Sequence, residues 1–335
     1  MTLGAGRVGL PASGDGLLAA TYVLPLRTET PLGGDDTAYL RSLADVVDGS
    51  DPDVVAEHVE ALAGSVTVTA PDPLFRCRNG KVAGVLTGVA LARNDVVVIA
   101  DDDVRYGPAE LRTVIERLAG ADAVMPQNVF DPLPWHARWD TGRILINRAI
   151  GHDMAGTIAI RREALLHVGG YRGDVLFENL ELVRTIEAGG GRVAVAPDVF
   201  VRRIPPTVGH FAGQRVRQAY DEFARPLRLA VWLAILPAVA LHVRTRGRRA
   251  WIGLAAGAGA VVGLAEAGRR RCGGAEVFAP LAAAWAPLWL LERAVCAWLA
   301  LGARLRGGAR YAGRRLPRAA SSPRELQAAL AEVAV

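Results

Sequence analysis

The stretch Val96-Val97-Val98-Ile99-Ala100-Asp101-Asp102-Asp103 constrains the fold more than any other part of this chain. Four β-branched residues in succession read as a strand buried on both faces, an inner strand of an α/β sheet. Tyr106-Gly107-Pro108 breaks the pattern, and a helical one begins at Ala109. Three carboxylates at the carboxyl end of a buried strand repel one another unless a cation lies among them. A divalent metal carrying a diphosphate meets that need, because hard ions take carboxylate oxygens. The plainer alternative is an acidic turn whose Asp102 or Asp103 caps the next helix.

Strand and helix patterns alternate ahead of this point. Strands are expected over Ala20–Leu24, Asp45–Asp48 and Ser65–Thr69, with helices over Thr37–Ala44, Val54–Ala63 and Val82–Ala92. After it come a helix over Leu111–Leu118 and a strand over Ala123–Met125. Such alternation predicts an α/β head with a mainly parallel central sheet. Ligands of such sheets bind beyond the carboxyl ends of the strands, where Asp48 and Asp101–Asp103 lie.

The composition changes at Pro226. Leu229–Val243, Trp251–Ala265 and Val277–Leu291 are apolar runs, the last separated by Glu292-Arg293 from Ala294–Leu301. Residues 211–335 hold 19 Arg against 7 acidic residues, a balance of +12, while the whole chain carries +5. Arginines that flank apolar runs, with Trp232, Trp251, Trp285, Trp289 and Trp298 among them, point to a membrane surface. They argue against nucleic acid, which calls for basic groups along a polar face. The expected division is a flexible segment over 1–19, a catalytic head over 20–225, membrane-associated helices over 226–303 and a basic tail over 304–335. Cys77, Cys272 and Cys296 fit no disulfide framework or zinc spacing. Met1 to Gly16 lacks the basic start and apolar core of a secretory signal, so the head is expected on the cytoplasmic side of the cell membrane.

Several motifs occur in one order, and together they resemble a family-two glycosyltransferase with the GT-A fold over about Ala20 to Arg225. Tyr22-Val23-Leu24-Pro25-Leu26-Arg27-Thr28-Glu29 resembles the family's first strand and its Pro and Arg-Asn-Glu loop, with Thr28 in place of Asn. Val47-Asp48-Gly49-Ser50-Asp51 is similar to its base-holding turn, and Asn79-Gly80-Lys81 to its pyrophosphate-side loop. Asp101 and Asp103, with Asp102 between them, correspond to the family's metal-binding DXD pair. Lys81 is the chain's one lysine among 39 basic residues, and a compact ammonium suits a phosphate.

Farther on, Gly156–Arg162 and Val168-Gly169-Gly170-Tyr171-Arg172 resemble the acceptor-side strand and turn. Glu178-Asn179-Leu180-Glu181 follows where family members carry a Glu-Asp pair whose second residue is the base. Asn179 occupies that position here, and an amide accepts no proton. Glu178 or Glu181 is then the candidate base, or the acceptor enters already ionised, or the protein is an inactive relative. Glu181 also reads as a surface charge paired with Arg184. Gln214-Arg215-Val216-Arg217-Gln218 is similar to the Gln-x-x-Arg-Trp motif of membrane-bound members, including cellulose-synthase-like and ceramide-glucosyltransferase-like enzymes, with Gln218 for Trp. A basic juxtamembrane helix is the alternative there.

The resemblance implies an inverting, membrane-associated hexosyltransferase. Its donor would be a nucleotide-diphosphate sugar, its acceptor a lipid or lipid-linked molecule, and its cofactor Mg2+ or Mn2+ held by Asp101 and Asp103. Donor contacts are implied for Pro25, Arg27, Glu29, Asp48, Lys81, Asp101, Asp102, Gln214 and Arg217. Glu178, Asn179 and Glu181 are the candidates at the reacting groups. Two other classes remain open: a non-catalytic nucleotide-sugar-binding scaffold, which Asn179 favours, and a nucleotidyltransferase of related fold.

Overall fold

In a computed structural model of the chain, residues 20–28, 32–41, 45–48, 50, 52–63 and 66–333 are described, with the backbone alone for 45–48 and Val333. The expected flexible segment 1–19, Glu29, Gly49 and Asp51 lie outside the described residues. The chain divides into two compact units. The first comprises residues 1–126, 155–201 and 321–335, and the second residues 127–154 and 202–320. This cut differs from the expected one. Residues 127–154 and 202–225 group with the hydrophobic helices, and the C-terminal residues group with the head.

The first unit is built on a sheet of eight strands: β1 (Ala20–Leu26), β2 (Asp45–Asp48), β3 (Val68–Thr69), β4 (Val96–Ala100), β5 (Val104–Arg105), β6 (Ala123–Phe130), β7 (Thr157–Arg161) and β8 (Val193–Arg203). Their order across the sheet is β3-β2-β1-β4-β7-β6-β8-β5. β1 pairs in parallel with β2 and β4, and β2 with β3. β7 pairs antiparallel with β4 and with β6. The sheet is therefore mixed, a correction to the expected mainly parallel one. Its parallel half follows the βα alternation read from the sequence. In the other half β7 enters only after the chain has left the sheet for residues 131–156, and no local pattern encodes the direction of that return.

β4 behaves as its composition requires. Val98 and Ala100 join a core with Tyr22, Leu24 and Leu26 on one side of the sheet, and Val97 and Ile99 are equally buried. Ile99→Ala would cost about 2–5 kcal/mol in such a core. The unit's helices are α1 (Gly34–Arg41), α2 (Pro52–Leu62), α3 (Gly80–Leu91) and α4 (Pro108–Arg117). α3 lies so close to β1 that a Cβ at Gly88 would collide with the Val23 side chain.

The second unit begins with α5 (Trp135–Ile150). Back in the first unit, α6 (Arg162–His167) and α7 (Glu178–Ala188) follow β7. The second unit then resumes with α8 (Val208–Tyr220), α9 (Pro226–Arg246), α10 (Ala250–Arg270), the short α11 (Gly274–Val277), α12 (Ala286–Leu305) and the hairpin β9 (Ala309–Tyr311) and β10 (Arg314–Leu316). α13 (Pro323–Val333) returns to the first unit and packs on α7.

A buried polar web runs through the second unit. Asp140 accepts from Arg143 at 3.1 Å and from Arg215 at 2.9 Å, and Asp153 accepts from Arg143 at 2.5 Å. Glu292 lies 3.6 Å from Arg215, so Glu292-Arg293 does not divide an apolar run as expected. α12 is one continuous helix that turns Trp289, Arg293, Ala297 and Ala300 inward, at helical spacing. α9 and α10 have 21 residues each, about 31 Å of helix. Two stretches, Pro226–Val277 and Ala282–Leu305, are long and apolar enough to cross a membrane by length and composition. Leu227, Leu241, Trp251 and Ile252 stand exposed on the first.

Candidate active site

The turn after β4 is held by backbone bonds. The Asp101 N–H donates to the Gly156 carbonyl at 2.8 Å, and the Val104 N–H to the Asp101 carbonyl at 3.1 Å. Thr157 Oγ1 donates to the Ile99 carbonyl at 2.7 Å and ties β7 to the same strand end. Arg105 donates to the Asp102 carbonyl at 2.6 Å, pairs with Asp36 and lies 4.8 Å above the Tyr39 ring. Asp101 and Asp103 are half-buried, and Asp102 is exposed.

α3 delivers Lys81 to this turn. Asn79 caps the helix: its Oδ1 accepts the Lys81 N–H at 3.1 Å while its Nδ2 donates to the Val175 carbonyl at 3.0 Å. Such a cap satisfies one of the helix's open donors. Lys81 Nζ then reaches Asp101 Oδ1 at 2.5 Å, Glu178 Oε1 at 2.7 Å and Asn179 Oδ1 at 3.3 Å. Burial works against the ammonium, but Asp101 and Glu178 outweigh it and hold the Lys81 pKa above the usual lysine range. Burial pushes the neighbouring Tyr171 phenol up, opposed by Lys81.

α7 supplies the remaining groups. Asn179 Nδ2 donates to the Ala155 carbonyl at 3.0 Å, which turns its Oδ1 toward Lys81. Glu181 is fully buried, and its Oε2 accepts the Ser321 N–H at 2.6 Å. Arg184 donates to the Ser321 carbonyl at 2.7 Å. Arg184 thus sits beside Glu181 as the spacing suggested, but both address the chain just ahead of α13 instead of solvent.

On the expected nucleotide side, Pro25 lies in β1 opposite Val47, and Leu26 opposite Asp48. Asp48 ends β2, as its place beyond a strand end required, but its side chain is outside the described residues. Arg27 is exposed just past β1. The Thr28 N–H donates to Ser50 Oγ at 2.8 Å, linking the loops after β1 and β2. Gln214 and Arg217 lie on α8 of the second unit. There Gln214 contacts His210 and accepts from Gln218 at 3.5 Å, and the Arg217 guanidinium lies 5.4 Å from the Tyr311 ring centroid.

The structure therefore brings Lys81, Asp101, Glu178 and Asn179 together and turns Glu181 away to the C-terminal segment. Ala155 and Ser321 went unmarked by sequence reasoning, and Asn79 was read as part of a pyrophosphate-side loop and not as a helix cap. Asn79 had a signal, an Asn directly ahead of an apolar helical run. The Ala155 and Ser321 contacts use backbone atoms, which have no residue signature. Asp101 and Asp103 offer hard oxygen donors suited to Mg2+ or Mn2+. Among the described residues no group of three or more His, Cys, Asp or Glu forms a closed cage. Such an open set fits an ion that binds through one or two carboxylates and completes its shell with phosphate and water.

Residues 46–170 match the family model described as glycosyl transferase family 2. That segment runs from β2 through the Asp101–Asp103 turn to Gly170. No curated protein matches the chain. Among solved structures, a mannosyltransferase from Pyrobaculum calidifontis in complex with GDP-Man and Mn2+ is similar at 23% identity and TM-score 0.47, covering 84% of this chain and 87% of that one. Glucosyl-3-phosphoglycerate synthase from Mycobacterium tuberculosis, in complex with Mn2+ and UDP-glucose, is similar at 16% identity and TM-score 0.40, covering 60% and 77%. Mannosyl-3-phosphoglycerate synthase from Rubrobacter xylanophilus is similar at 17% identity and TM-score 0.40, covering 63% and 74%.

Proposed function

We propose that this chain is a metal-dependent, inverting glycosyltransferase that moves a sugar from a nucleotide-diphosphate sugar to a lipid or lipid-linked acceptor at the cytoplasmic face of the cell membrane. The observation that carries the reading is the Asp101–Asp103 turn at the tip of buried β4, inside the segment that matches family 2. Asp101 and Asp103 would hold Mg2+ or Mn2+, which when bound neutralises a leaving diphosphate. Pro25, Arg27 and Asp48 would line the nucleotide at the ends of β1 and β2. The exposed apolar residues of α9 and α10 support the membrane part, as does the sequence likeness of Gln214 and Arg217 to membrane-bound family members.

The acceptor oxygen would approach the anomeric carbon from the face opposite the diphosphate. Of the two glutamates, Glu178 shares Lys81 with Asp101, whereas Glu181 serves the C-terminal segment. Proton acceptance is accordingly assigned to Glu178 and a positioning role to Glu181. In transfer assays with a panel of labelled nucleotide sugars and Mn2+, Glu178→Gln should lower kcat by about 100-fold or more. Full activity in that variant would instead point to an acceptor that enters ionised. Asp103→Ala should abolish metal-dependent donor binding in calorimetry, and unchanged affinity would remove the metal assignment.

A second reading, a non-catalytic scaffold that binds nucleotide sugar, is favoured by one observation. The Asn179 amide donates to the Ala155 carbonyl, a bond that an ionised base at that position could not make. Donor binding without transfer to any acceptor in membrane extracts would select this reading.

A further inference from the structure

Lys81 Nζ has three oxygen neighbours, Asp101 Oδ1 at 2.5 Å, Glu178 Oε1 at 2.7 Å and Asn179 Oδ1 at 3.3 Å. An ammonium has three N–H donors, so this set uses all of them. The side chain is only 14% exposed, and Glu178 and Asp101 are 15% and 21% exposed. One of the three oxygens belongs to the carboxylate that the proposed metal needs. A divalent ion bound at Asp101 would compete with the ammonium for that carboxylate, and like charges brought that close repel.

The two partners differ in freedom. Asp101 follows a buried strand, and its N–H is pinned to the Gly156 carbonyl. Lys81 carries its charge on a flexible four-carbon stem, anchored at the capped start of α3. When the two separate, the lysine moves. Glu178 and Asn179, both on α7, remain to receive it, so the ammonium gives up one partner of three and stays paired.

The geometry points to Lys81 as a place-holding cation that occupies Asp101 in the donor-free protein and yields it, by shifting toward Glu178 and Asn179, when the divalent metal arrives. This rests on the metal-dependent reading above. It makes the metal site self-neutralising when empty and lowers its affinity for metal alone. If the lysine-held form makes up about nine-tenths of the population, apparent affinity falls about tenfold relative to a site without the lysine.

The test is a Mn2+ titration of the full chain in detergent micelles without nucleotide, with free Mn2+ read by electron paramagnetic resonance. Lys81→Met should bind Mn2+ about tenfold more tightly than wild type. A damaged fold would weaken binding, so a gain cannot arise from loss of structure. Lys81→Gln, neutral but hydrogen-bonding, gives the same readout should the Met variant fail to fold. Arg117→Gln removes a positive charge that pairs with Asp198 elsewhere in the first unit, and it should stay within about twofold of wild type. Equal or weaker Mn2+ affinity in the Lys81 variants overturns the exchange.

The wild-type protein offers an independent measurement, because Lys81 is its one lysine side chain. Reductive methylation of Lys81, followed by mass spectrometry, should run several-fold faster with saturating Mn2+ than without, as the amine leaves its tightest contact. An unchanged rate with Mn2+ bound also overturns the exchange. No Mn2+ uptake by wild type or by either variant, even with a nucleoside diphosphate present, overturns the metal-dependent reading beneath it. Uptake at equal affinity overturns the exchange alone.

Discussion

Lys81 Nζ lies 2.7 Å from Glu178 Oε1, joining the first turn of α3 to the first residue of α7 across 97 positions of sequence. Both groups are largely buried, and Lys81 keeps Asp101 if Glu178 is neutralised. Glu178→Gln should therefore cost about 1–2 kcal/mol, less than the 3–5 of a buried charge left alone. Thermal melting by far-UV circular dichroism measures it. A loss of the full buried-charge size would mean that Asp101 alone cannot hold the ammonium.

Asn179 donates to a carbonyl, a role closed to a carboxylate. Asn179→Asp should lose the bond to Ala155 and set two acceptors face to face, at about 1–3 kcal/mol. The added negative charge lies near Lys81 and offsets part of that. A variant more stable than wild type would show that the amide bond to Ala155 contributes nothing.

Glu181 anchors the chain ahead of α13 through the Ser321 N–H. Glu181→Ala leaves that buried N–H without its carboxylate and should loosen α13 from α7. Limited proteolysis should then cut near residues 321–323 faster than in wild type, while the rest of the first unit stays resistant. Equal cutting rates would dismiss the anchor.

Gly142 on α5 faces the start of α12 in the second unit, and a Cβ there would stand 2.9 Å from Ala286 Cα. Backbone cannot swing aside as a side chain does, so Gly142→Ala should destabilise the protein by about 1–3 kcal/mol. A melting temperature equal to wild type would mean that α5 and α12 separate without cost.

Burial opposes the Asp140 carboxylate, but Arg143 and Arg215 outweigh it and hold its pKa below the usual range. A depressed carboxyl adds stability that is fully present above its unfolded pKa, about 3.9, and is lost as pH falls toward the folded value. Wild-type stability should therefore decline below about pH 4 with a slope that Asp140→Asn reduces. Urea unfolding between pH 5 and about 2.5 compares them. Identical slopes would show that the Arg143 and Arg215 contacts do not bind the charge.

Much of the head was legible because its signals are local. β4 announced itself by β-branched residues, and β2 was read at its observed bounds, Asp45–Asp48. α3 begins at Gly80, two residues before its apolar pattern, because Asn79 caps it. The direction of β7 was not legible, since pairing depends on how the chain returns from residues 131–156. Nor was the inward face of Glu292. A charge inside an apolar helix looks like an interruption until Arg215 is found opposite.

The sequence alone determined the strand that ends in carboxylates, the alternating elements around it and the apolar helices beyond Pro226, because hydrophobic period and caps act within a few residues. Tertiary structure decided which charges meet. Asp101 and Glu178 converge on Lys81, and Glu181 turns to Ser321, because strand order and helix placement bring together side chains that the sequence holds 20 to 140 positions apart. A carboxylate's chemistry depends on the cation beside it, and that neighbour is chosen by topology.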